Sequence, residues 1–81
     1  MQTAREEYRG YTIVVQPLKD CNDMWDFEYE LTRLDDKAAT PIKRAQTAGG
    51  HADEGVATLA GFKVAKIEVD NLLALEAAPG A

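Results

Sequence analysis

Between Met24 and Leu34 the chain alternates strictly. Trp25, Phe27, Tyr29 and Leu31 point to one side of an extended backbone, and Asp26, Glu28, Glu30 and Thr32 to the other. A period of two sustained over these residues predicts a β-strand with one face buried and one in water. Because a slip of one residue would bury the acids, the pairing of this strand must respect its faces.

The segment 8–18 reads as its partner. Tyr11, Ile13 and Val15 alternate with Thr12, Val14 and Gln16, and β-branched residues dominate. Pro17 lies at its end, where a missing N–H costs least. A polar turn, Lys19-Asp20-Cys21-Asn22-Asp23, follows. Pairing Leu18 with Met24 sets Val15 beside Phe27, Ile13 beside Tyr29 and Tyr11 beside Leu31 on one face. The other face then pairs Gln16 with Asp26, Val14 with Glu28 and Thr12 with Glu30.

After a turn at Leu34-Asp35-Asp36-Lys37-Ala38, residues 40–48 read as a third, weakly patterned strand ended by Gly49-Gly50. It is expected to place Arg44 on the acidic face near Glu28 or Glu30. Asp53 then reads as an N-cap, with Glu54 beside the positive end of a helix running to about residue 77. Gly55 and Gly61 weaken that helix by about 1 kcal/mol each relative to Ala. Val56, Ala60, Val64, Ile67 and Ala74 form one apolar stripe. Leu59, Phe62, Val69, Leu72 and Leu73 form a second, and Lys63, Lys66 and Asp70 make the polar arc. One sheet needs one stripe. The β-branched run through Val64, Ile67 and Val69 makes a strand at 62–69 the competing reading. The expected fold is α+β: an antiparallel three-stranded meander (8–18, 24–34, 40–48) with one long C-terminal helix (53–77) on its aromatic face. It forms a single domain, with 1–7 and 78–81 frayed.

Composition narrows the functions. The 81 residues carry a net charge of −5, and residues 20–36 concentrate acids against Arg33 alone as base. Such a face repels phosphate backbones, which disfavours nucleic acid. It suits a basic partner protein or solubility. One Cys excludes an internal disulfide, and one His excludes multi-His zinc sites. No apolar stretch approaches a bilayer span, and the charged first residues are no secretory signal. Free thiol and absent export signal together point to the cytoplasm.

The strings Tyr8-Arg9-Gly10-Tyr11, Trp25-Asp26-Phe27-Glu28-Tyr29 and Thr47-Ala48-Gly49-Gly50-His51, followed by a long helix, resemble a group of small uncharacterised bacterial proteins, some prophage-borne. That resemblance implies no activity and no functional residues. The β-β-β-α order is also similar to part of the double-stranded-RNA-binding domain. That family begins with a helix and carries a lysine cluster where this chain has Asp53-Glu54. A further likeness, of topology alone, is to the small antitoxin domain of toxin–antitoxin pairs.

Each candidate for chemistry has a plainer explanation. His51, Asp53 and Glu54 could contribute to a metal site, but neighbours this close seldom converge and serve a helix start equally well. Cys21 and His51 could pair as nucleophile and base, but Asp20 and Asp23 should raise the thiol pKa. Asp20 with Asp23, and Asp35 with Asp36, are carboxylate pairs with turn spacing rather than a calcium loop. Trp25, Phe27 and Tyr29 could stack bases, but the helix needs that face for a core. Gly49-Gly50 lacks the rest of a phosphate loop. No catalytic residue, metal or cofactor is therefore assigned. Two surfaces remain as binding candidates: the acidic face Asp26, Glu28 and Glu30, and an apolar helix face of Leu59, Phe62, Val69 and Leu73. The expected activity is a non-enzymatic protein–protein interaction, or self-association, in a phage or mobile-element accessory protein. The alternative is a nucleic-acid-associated regulator of antitoxin or RNA-binding type.

Overall fold

The computed structural model describes residues 3–19, 23–35 and 38–77. The order is β1 (Ala4–Tyr8), β2 (Tyr11–Lys19), β3 (Trp25–Arg33), β4 (Ile42–His51) and α1 (Glu54–Ala77). All four strands lie in one antiparallel sheet in the order β1-β2-β3-β4. The α+β class and the C-terminal helix are as expected; among the described residues the strand count is four rather than three.

The extra strand comes from the end expected to fray. Arg9 and Gly10 both have positive φ, 48° and 86°. Two such residues close a tight hairpin whose twist matches that of its strands. Tyr8 thus pairs with Tyr11 and Ala4 with Val15. The first expected strand, 8–18, is in fact the end of one strand, a turn and the start of the next.

The β2–β3 register is offset by two residues from the expected one. Ile13 faces Leu31, Val15 faces Tyr29, Pro17 faces Phe27 and Lys19 faces Trp25. An even offset leaves every side chain on its face, so the hydrophobic pattern cannot detect it. Pro17 is buried opposite Phe27 instead of ending the strand. It lies past Ala4↔Val15, the last described β1 pair.

On β4, Tyr29 pairs with Arg44 and Glu30 with Lys43. Arg44 therefore lies on the helix side, not on the acidic face, because directly paired residues share a face. The register then breaks. Phe27 pairs with Gln46 but Trp25 with His51, so residues 47–50 stand opposite Asp26 alone. Gly50, at φ 60°, helps turn the chain through this excursion, and the strand resumes where Gly49-Gly50 had been expected to end it.

The helix begins as expected. The Asp53 side chain accepts the Val56 N–H at 2.8 Å, and Glu54 follows in the first turn. The competing strand over 62–69 does not form. Ala57, Gly61, Ala65 and Val69, one every four residues, are the positions buried against the sheet. They cover a core of Tyr11, Ile13, Val15, Phe27, Tyr29 and Leu31. A Cβ on Gly61 would come within 2.6 Å of Val15 Cγ1 and 3.1 Å of Phe27 Cδ1. Gly61 is thus the point where helix backbone meets sheet side chains, and small neighbours keep that approach close.

Replacing Gly61 by Ala should lower stability by about 1–2 kcal/mol, since overpacking outweighs the gain in helix propensity. Urea denaturation measures this, and a stabilised variant would contradict the close approach.

Candidate functional site

The acidic face is smaller than the sequence implied. Asp26 is only 6% exposed and accepts the Gly50 N–H at 3.2 Å. It braces the β4 excursion and is not presented to a partner. Glu28 is exposed and Glu30 half-buried. Lys43, opposite Glu30, places a positive charge beside them. The shallow hollow here, about 320 Å³, is lined by Val14, Gln16, Glu28, Glu30, Lys43 and Ala45 among others. Its mixed charge gives a weaker attraction for a basic partner than a row of carboxylates would.

The expected apolar interface divides. Val69 is fully buried in the core, and Phe62 and Leu73 are half-buried against it. These three are largely spent on folding. Leu59 stays outside at 71% exposure. The large outward side chains are instead Val56, Leu59, Val64, Ile67 and Leu75, with Ile67 at 54% and Leu75 at 73% exposure. Three of them, Val56, Val64 and Ile67, belong to the first stripe, whose Ala60 packs against the core edge.

Ion pairs hold the helix along both flanks. Toward β1, Lys66 bonds Glu6 at 2.9 Å. Asp70 accepts from Tyr8 Oη at 2.9 Å and from Arg9 Nη1 at 2.7 Å. The Arg9 and Tyr8 hydrogen bonds hold the Asp70 carboxyl below its ordinary range. At the far end Arg33 reaches Glu76. Toward β4, Glu68 accepts from the Tyr29 hydroxyl through one oxygen and from Arg44 Nε at 3.2 Å through the other. Burial, then the neighbouring Glu68 carboxylate, push the Tyr29 phenol well above its ordinary value.

Outside these pairs, α1 packs chiefly on β2 and β3. Four strands about 4.8 Å apart are wider than one helix of about 10 Å. An open groove of about 430 Å³ therefore remains between α1 and β4. Tyr29 and Arg44 line it from the sheet, and Val64, Ile67, Asn71 and Leu75 from the helix.

Among the described residues, those singled out for chemistry are not brought together. The His51 ring lies 6.0 Å from that of Phe27, and its buried Nε2 has no hydrogen-bond partner among the described residues. Asp53 is occupied as the helix cap. Among the described residues no group of three His, Cys, Asp or Glu could hold a metal. Asp20, Cys21 and Asp36 lie outside the described residues, so the Cys21–His51 pairing and both carboxylate pairs do too. Phe27 and Tyr29 stack under α1, centroids 6.3 Å apart, and are core rather than a base-stacking platform. No described helix is long and apolar enough to cross a membrane. Comparison with family models, curated proteins and solved structures finds no match for this chain.

Replacing Tyr29 by Phe should cost about 1–2 kcal/mol at pH 8 through the lost bond to Glu68. A phenol whose pKa is raised by folding contributes stability that is complete below about pH 10 and lost as the pH rises past it. The gap between wild type and variant should therefore narrow in denaturation curves at pH 11. Equal stability at pH 8 would contradict the contact.

Proposed function

We propose that the chain is a small non-enzymatic protein–protein interaction module working through the outward face of α1. The observation that carries this is the set of large apolar helix side chains left outside the core. Ala57, Gly61, Ala65 and Val69 face the sheet, Phe62, Leu72 and Leu73 pack at its edges, and Leu59, Ile67 and Leu75 remain in water. The core is already closed without them. Exposed apolar side chains along the solvent side of a small protein's helix mark a contact surface. In this reading the module acts in the cytoplasm as an accessory of a phage or other mobile element. Regulation in association with nucleic acid is the competing reading, and net charge −5 speaks against it.

The test uses tagged protein and a Leu59→Asp, Ile67→Asp double variant on bacterial lysate, each with and without nuclease. The wild type is expected to retain a protein, or untagged copies of itself, despite nuclease. The variant should lose that partner while keeping its helical circular dichroism. Recovery that nuclease abolishes, or that the folded variant retains, overturns the proposal.

A further inference from the structure

The geometry points to a second copy of this chain as the occupant of the outward helix face, held as an antiparallel helix pair. The inference rests on the interaction reading above and names its partner.

The spacing of the residues along this side supports it. Ala60, half-buried at the edge of the core, and the exposed Val64, Ile67, Asn71 and Ala74 follow one another at intervals of four, three, four and three. That alternation is the seam of a two-helix coiled coil. The seam borders the groove beside β4, so a neighbouring helix would pack along α1 on its uncovered side. Small residues at both ends, Ala60 and Ala74, permit a close approach.

Charge selects the antiparallel arrangement. Lys63 and Asp70 flank the seam on one side, seven residues apart. In a parallel pair the flanking position of one helix meets the opposite flank of the other, so these two would not face each other. In an antiparallel pair the same flank meets itself. With Val64 opposite the partner's Ile67, Lys63 faces the partner's Asp70 and Asp70 faces the partner's Lys63. The same register lays Glu54 opposite the partner's Ala77, so the 24-residue helices overlap along their whole length. That length is about 36 Å. Lys63 has no ion pair among the described residues. Asp70 keeps 43% of its side chain exposed while bound to Arg9. A partner is therefore free to reach both. Asn71, set against the partner's Ala60, makes one polar layer, the kind that fixes register at some expense of affinity.

Sedimentation equilibrium of the full chain is expected to give a dimer. Ile67→Asp should give a folded monomer, because Ile67 is not in the core. Lys63→Glu should weaken the dimer about three- to tenfold, and adding Asp70→Lys should recover part of that loss. For orientation, a spin label is placed at Leu75→Cys in a Cys21→Ser background. The labels should sit about 30 Å apart in the antiparallel dimer, against about 10 Å in a parallel one. A wild-type monomer at several hundred micromolar overturns the inference, as does the short distance. If the lysate experiment still retains a partner through Leu59 and Ile67, the interaction module stands and only self-association falls.

Discussion

The fold depends on how closely one helix backbone lies on one sheet. At Gly61 there is no room for a Cβ, because Val15 Cγ1 already occupies the space 2.6 Å away. Ala57 and Ala65, a turn to either side, are fully buried on the same line. Contact at this range lets small side chains, with Val69 and the flanking Phe62, Leu72 and Leu73, seal Phe27, Val15 and Ile13 completely. It has a second effect. Where the inward line is small, from Ala57 to Ala65, the neighbouring large apolar side chains must point elsewhere. Phe62, Leu72 and Leu73 wrap the core edges, and Ile67, Leu59 and Leu75 are left in water. The core and the candidate interface thus arise from one constraint.

The ion pairs then set where the helix lies across the sheet. Glu6 and Arg9 draw it toward β1 through Lys66 and Asp70. Arg44 and Tyr29 hold it on the other side through Glu68. Most of these groups are partly exposed, so each pair contributes little to stability. Their collective role is alignment. They keep α1 over β2 and β3 and leave the strip beside β4 open, which is the strip bordered by Val64 and Ile67.

Much of this was legible in the sequence. The alternation Trp25–Thr32 and the β-branched run Tyr11–Val15 placed two strands with correct faces, and Asp53 marked the helix start. What escaped did so for physical reasons. β1 has no alternating pattern, since Ala4-Arg5-Glu6-Glu7 lies at an edge and meets the helix through charge; only Arg9-Gly10 announced its turn. The two-residue offset between β2 and β3 is silent in a pattern of period two. Asp26 sits at a position the alternation assigns to water, yet it is buried where the β3–β4 register breaks and accepts the Gly50 N–H there. The helix misled most. The candidate interface included Phe62, Val69 and Leu73, whereas Val69 is in the core and Phe62 and Leu73 pack against it, beside the close line of Ala57, Gly61 and Ala65. Small residues repeating every four positions, Ala57, Gly61 and Ala65, were the available signal; Gly61 taken alone marks only a weakened helix.

The most direct test of this account compares thermal unfolding of two single variants. Ala65→Leu adds bulk to the fully buried line, and Leu59→Gln removes an apolar group that is 71% exposed and away from the coiled-coil seam. The expected result is that Ala65→Leu lowers stability by about 1–3 kcal/mol while Leu59→Gln stays within about 0.5 kcal/mol of wild type. The opposite order, with Ala65→Leu tolerated and Leu59→Gln unfolding the protein, would mean that α1 packs through its large side chains, and both the core and the interface described here would be wrong.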